Sequence, residues 1–263
     1  MTNVYYKTWT FSVPDNWNEI DRTRMLQIME IFYRENDDDR GRLLLFRALA
    51  QIPYAVLYLM KEPELITIAR DCTEFLFENK LTKNPIMFWG KFAGPADSIS
   101  NMKIGEFTFA EFAYMQYVQT KDVRFLHTLV ATIYRSKRNR LLYSYSQNPD
   151  GDYRVPFNPN LVDYNTKVVS KWPRPVLDSI FHFYQGARAE KIAANPKVFD
   201  GSESQGQSLY GMWSVMRSVA KAGHFGDFDK VQDQYIDTVL MELNETVVEA
   251  EKLEAERNKV TLK

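Results

Sequence analysis

The sequence predicts a mainly α fold, a multi-helix domain carrying a small N-terminal β element with strands near 4–13 and 85–92. Three observations lead there. Apolar residues recur at helical spacing through most of the chain, two short aromatic stretches depart from that period, and polar breaks bearing proline or glycine separate the periodic segments.

Residues 4–13, VYYKTWTFSV, mix β-branched and aromatic residues in near alternation, the pattern of a half-buried strand. Pro14 ends it, and Asp15 and Asn16 bring turn chemistry. From Asp21 onward, Met25, Ile28, Met29 and Phe32 share one helical face, so a helix is expected over 21–34. ENDDDRG (35–41) closes it, and Leu43, Leu44, Phe46, Ala48 and Leu49 mark a second helix ending near Pro53. A third starts around Pro63, since proline suits a first turn, and runs through Leu65, Ile68, Ala69, Cys72, Phe75 and Leu76. PIMFWGKF (85–92) reads as a second strand and a candidate partner of the first.

Beyond the turn GPADSISN, residues 107–119 and 122–134 are helical, the second with Val123, Leu126, Leu129, Val130 and Ile133 at a period near 3.6. The break at 119–121 is short enough for an antiparallel helical hairpin. Regularity fails from 135 to 172, where a short hairpin or an exposed binding segment is expected. Helices resume over 175–194 and 208–222, separated by FDGSESQGQ, a flexible link. A last helix is expected from 230 to about 258, with Asp229 and Gln232 forming a capping box. The link near 200 is the best candidate boundary, dividing a helical core domain, 1–200, from C-terminal helices, 207–263, that can pack on it.

Lys plus Arg at 33 against Asp plus Glu at 34 leaves a formal charge of -1, so no global field favours nucleic acid or an anionic membrane. The single cysteine, Cys72, cannot form an internal disulfide. The opening MTNVYYKTWT lacks the basic and apolar segments of a secretory signal. IPYAVLYLM (52–60) has only about half of the roughly 20 residues a membrane span needs. These features predict a cytoplasmic protein with no membrane partner.

The chemical inventory is sparse. His127, His182 and His224 lie far apart without metal-ligand spacing, and His127 and His182 read as helix residues with a local hydrogen bond. GSESQG (201–206) lacks the G-x-S-x-G spacing and the preceding strand of a nucleophile elbow. No phosphate-cradling or dinucleotide-binding glycine motif occurs. Residues 37–39 and the set Asp227, Asp229 and Asp233 suit helix caps and solvated loops better than a calcium loop. We therefore expect no enzyme, no catalytic residue, no metal site and no cofactor.

Two features remain. The basic cluster Arg135, Lys137, Arg138 and Arg140, interleaved with Tyr134, Tyr143 and Tyr145, has the chemistry of a nucleic-acid patch. A solvated loop explains it better, because the net charge supplies no supporting field. In the terminal helix Ile236, Leu240, Leu243, Val247 and Ala250 step by 4, 3, 4 and 3, a short heptad seam. The seam can lie on the parent core or offer these five residues to another helix.

Several segments taken in order carry a resemblance. They are the opening strand with VPDNWNEID, GPADSISNMKIGEFTFAEF leading into FLHTLVATIYR, VPFN after a polar loop, and AGHFGDFDKV before a long acidic helix. The set resembles tail-region proteins of phages and prophages of Bacteroidetes-type hosts. That resemblance implies a tail-assembly protein, similar in role to chaperones that hold the helical tape-measure protein until tube subunits assemble around it. The alternative is a structural virion component of the tail or neck, which would stay in the particle. Either role implies other tail proteins as partners, needs no nucleophile or cofactor, and transfers no residue role to this chain.

Overall fold

The molecule is described from a computed structural model that covers all residues except 7–8, 35–37, 59–61, 139–150, 200–210, 224 and 262–263. Twelve α-helices and five short strands make up the described chain, in agreement with the mainly α class predicted above.

The N-terminal stretch is a hairpin rather than one strand. β1 (Thr2–Tyr6) and β2 (Trp9–Val13) pair antiparallel, Thr2 opposite Val13 and Val4 opposite Phe11. Both strands continue the same alternation and no glycine, asparagine or proline pair marks the reversal, which is why the sequence reads as a single run. The inner face, Val4, Phe11 and Val13, meets the core, where Phe11 sets its edge on Phe46 at 6.5 Å.

After the hairpin, Trp17 is buried and donates its indole N–H to Glu78 O at 2.9 Å. Asn18 Oδ1 accepts from the amides of Thr82 and Lys83 at 3.0 and 2.9 Å. Together they fasten the turn to residues 78–83. Helix α1 (Arg22–Phe32) is capped by Asp21, which accepts from the amides of Thr23 and Arg24. Helix α2 (Asp39–Ala50) is capped by Asp38 through the Gly41 amide, so this acid is a cap, as the sequence suggested. A single turn, α3 (Tyr54–Leu57), precedes α4 (Glu62–Thr73), which tightens into a 3-10 turn at Glu74–Phe77.

The predicted strand at 85–92 is also a hairpin, β3 (Phe88–Trp89) and β4 (Phe92–Ala93), reversing at Gly90. It does not join the first hairpin. Its partner is β5 (Arg135–Ser136), with Phe92 opposite Ser136, in a separate three-stranded sheet. Trp172 lies against Phe92 and Tyr134 at 5.4 and 6.0 Å and seals this corner. A Cβ on Gly94 would meet the Tyr134 ring at 2.5 Å, so only glycine lets the strand end pass there.

Helices α5 (Ile104–Thr120) and α6 (Val123–Ile133) fold back on each other across Lys121 and Asp122. The segment 135–172 holds β5, a bridge between Lys137 and Arg154, and helix α7 (Val162–Val169), which the irregular, proline-bearing sequence did not announce. Helix α8 (Arg174–Ala194) is the central element, buried almost continuously from Val176 to Ala187 and touched by α1, α6 and the 97–99 turn. A Cβ on Gly186 would strike the Leu81 carbonyl oxygen at 2.2 Å, which fixes how closely this helix meets the 78–83 segment. A short turn, α9 (Pro196–Phe199), follows, and most of the proposed link, 200–210, lies outside the described residues.

The chain resumes with α10 (Gly211–Ala222), α11 (Phe228–Gln232) and α12 (Ile236–Thr261). The expected single helix from 230 is broken at 233–235. Asp227, not Asp229, caps α11 by accepting from the Lys230 amide at 3.0 Å. Met216, Val219, Val231, Ile236, Val239 and Leu240 join the same apolar core as the residues before 200.

One polar element lies inside that core. Arg154 and Arg135, both buried, each contact Glu106 Oε1 of α5 at 2.5 Å. Arg154 also pairs with Asp152 at 2.9 Å and donates to Ile133 O at 3.0 Å, while Arg135 donates to Val155 O at 2.8 Å. Removing one partner of such a buried set leaves an uncompensated charge. Glu106→Ala is expected to cost about 3–5 kcal/mol of stability, measured by denaturant unfolding against wild type.

Candidate functional site

The terminal helix was the strongest functional candidate of the sequence, and its first turn is pinned. Ile104 N donates to Gln234 O at 2.8 Å and Ile236 N to Met102 O at 3.0 Å, so the break before α12 is stitched to the start of α5. Gly105 permits the approach, with Gln232 lying 3.2 Å from where a Cβ would be. Lys191 of α8 pairs with Asp237 at 2.5 Å, and Lys103 sits 4.0 Å over the Tyr235 ring.

This anchoring corrects the partner-binding assignment for part of the seam. Ile236 and Leu240 are fully buried, with Val239 beside them, and a side chain closed inside its own domain cannot also face another polypeptide. Leu243 is part-buried against the core and Val247 is part-buried, while the side chain of Ala250 lies outside the described residues. Sequence periodicity finds an apolar face and does not say which surface covers it.

A different line of α12 is open. Met241 is 63% exposed, and Val248, seven residues on and therefore on the same side, is part-buried. Both lie away from the seam by helical rotation, so the helix buries one side and presents another. The seven-residue spacing was readable, but it was masked by the stronger heptad beside it. The helix is 26 residues long, about 39 Å at 1.5 Å per residue, and its described core packing runs as far as Leu243.

Among the described residues the cations of the basic cluster are not gathered into one patch. Arg135 is only 5% exposed and belongs to the ion set with Glu106, so its charge points inward. Arg138 is part-buried and donates to Arg154 O at 2.6 Å. Lys137 is exposed with its ammonium 4.7 Å over the Phe88 ring. Tyr134 is buried beside Asn84 and Ile86, and Arg140, Tyr143 and Tyr145 lie outside the described residues. The sequence placed these cations together but could not show that distant carboxylates claim Arg135.

Of the histidines, His127 is part-buried on α6 and His224 lies outside the described residues. His182 departs from expectation. It is buried against Trp17, ring centres 4.2 Å apart, and its Nε2 has no hydrogen-bond partner among the described residues. Among those residues no group of three or more His, Cys, Asp or Glu is placed to hold a metal ion. Glu111 is committed elsewhere, accepting from Tyr184 and from Arg188 at 2.8 Å each. No described helix is long and apolar enough to cross a membrane. No family model, curated protein or solved structure matches the chain.

Burial lowers the His182 pKa from 6.5 to about 3, because its apolar surroundings disfavour the imidazolium. Between those two values the unfolded chain binds a proton that the folded chain refuses. This contribution to stability is therefore complete above pH 6.5 and is lost as pH falls toward 3. Replacing the ring in His182→Phe is expected to flatten the acid side of the stability curve, by up to about 1.4 kcal/mol per pH unit, read from unfolding midpoints across pH 3–7.

Proposed function

We propose that this chain is a non-enzymatic assembly protein of the cytoplasm that binds a helical segment of another polypeptide. Its role is that of the tail-assembly chaperones it resembles, with a tape-measure or tube protein as partner. The observation that carries this reading is the two-sided character of α12. Its inner side is locked into the core, while Met241 stands exposed, rotated by about 100° from buried Leu240, on a helix that runs on for five turns past Leu243. A helix fixed at one end, with Met241 exposed among polar residues such as Asp237 and Glu245 on its free side, can dock against a partner helix, in which residues spaced by three, four and seven positions form the contact. Methionine suits such a surface because its flexible thioether adapts to varied partners.

The anchoring chooses the cut that tests the proposal. Deleting from residue 231 would remove Val231, Ile236, Val239 and Leu240 from the core, whereas stopping after Leu243 spares them. Chain 1–243 and Met241→Glu should melt within about 1–2 °C of wild type, as surface changes do. Both should lose most of the binding to tail proteins encoded in the same genome, measured by co-purification and titration. Undiminished binding by both, or no binding by the full chain to any of those proteins, overturns the proposal.

A further inference from the structure

A cavity of about 370 Å³ lies beneath the N-terminal hairpin, between its inner face and the end of α4. Val4, Val13, Pro14, Cys72 and Phe75 give it an apolar lining. That volume is at the small end of the roughly 300–1,000 Å³ common for ligand pockets, enough for one or two side chains rather than a cofactor. The hairpin leaves the space because it is only two strands wide and, among the described residues, reaches the core through Val4, Phe11 and Val13.

The mouth is acidic. Thr2, Asp15, Asp71 and Glu74 complete the lining. Glu74 is paired with Arg42 at 3.0 Å, and Asp15 lies 3.4 Å from the Met1 amino group, which sits closer to Glu19 at 2.6 Å. Asp71, exposed, has no ion-pair partner among the described residues. Three carboxylates of the lining, Asp15, Asp71 and Glu74, thus stand beside two cations, Met1 and Arg42, and Met1 is shared with Glu19 outside the cavity. The next arginine, Arg70, is held by Asp39 at 2.6 Å and does not redress the balance.

We infer that this cavity is a socket for an apolar side chain flanked by a positive charge on a partner polypeptide. The apolar lining supplies burial for the side chain, and the excess of carboxylates at the rim supplies complementarity for a neighbouring lysine or arginine and discriminates against acidic segments. No residue of α12 lines the cavity, so the socket stands apart from the docking proposed above.

The single cysteine turns the socket into its own reporter, since every thiol adduct on this chain forms at Cys72. Burial, with Asp71 nearby, raises the Cys72 pKa, so labelling with a maleimide is run at mildly alkaline pH. The probe is the peptide Ac-Lys-Leu-Phe-Lys-amide added to the full chain, with Ac-Glu-Leu-Phe-Glu-amide and Ac-Lys-Gly-Ser-Lys-amide as controls. At ten times its dissociation constant the first peptide should slow labelling about tenfold, and neither control should protect at the same concentration. Asp71→Lys, a change at an exposed position, should leave melting unchanged and weaken that protection about threefold or more. Equal protection by the acidic peptide, no protection by the basic one at millimolar concentration, or protection undiminished in Asp71→Lys overturns the inference. Protection that grows with protein concentration in the absence of peptide also overturns it, because the occupant would then be a second copy of the chain.

Discussion

Two guanidinium groups and two carboxylates inside the core decide how the middle of this chain is routed. Glu106 enters from α5, Arg135 from the strand after α6, and Arg154 and Asp152 from the segment before α7. Withdrawing any of these charges from water is costly, and the cost is offset only when each finds a charged partner and its remaining N–H groups find oxygens. Arg154 meets that condition through Glu106, Asp152, Ile133 O and Asn101 O. The rigid fork of arginine suits this arrangement, since its donors reach several acceptors in one plane, whereas a lysine offers a single point charge. Burial lowers the Arg135 pKa while Glu106 opposes the shift, so the carboxylate is what keeps that cation tolerable where it lies.

The routing has consequences at a distance. Because 152–155 must return to α5, the strand at 135–136 is drawn beside 92–93 and the small sheet forms there rather than against the N-terminal hairpin. α5 in turn receives the break before α12 on its first turn, through backbone bonds whose close approach Gly105 permits. Charge network, sheet and helix anchor therefore share one element. Steps along α5 such as Gly105, which lets Gln232 approach, carry as much of the architecture as the larger apolar residues.

Most helices were legible in the sequence because their order comes from local periodicity: α1, α6 and α8 lie within a few residues of where Met25, Val130 and Ile180 place them. What escaped notice depends on contacts between distant residues. The reversal inside 2–13 carries no turn signature, α7 sits among prolines, and the strand that pairs with 92–93 is 135–136, some forty residues away. The functional candidates divide in the same way. The heptad in α12 was visible, but its direction was not, since only the bonds to Met102 and Ile104 show that Ile236 and Leu240 turn inward. The cations at 135–138 were visible as charge, while the carboxylates that claim Arg135 lie 29 residues before and 17 after it in sequence. Cys72 was visible only as part of a helix face and Asp71 not at all, because a cavity formed by a hairpin and a helix end has no period.

The residues proposed for partner contact are those on which the fold makes least demand. Met241 faces away from the core, Asp71 has no ion-pair partner among the described residues, and neither takes part in the buried charge network or in the packing around α8. That separation follows from marginal stability. A surface that must open for a partner cannot also hold the domain together, because each kilocalorie used in both roles would be lost from one of them on binding. In this chain the costly polar interactions are closed inside, at Glu106, Arg135 and Arg154, while Met241 and the cavity at Cys72 lie at elements held to the core by other residues, the hairpin by Val4, Phe11 and Val13 and α12 by Ile236. Such a division would let a chain exchange partners without reorganising its core, which the proposed assembly role would require.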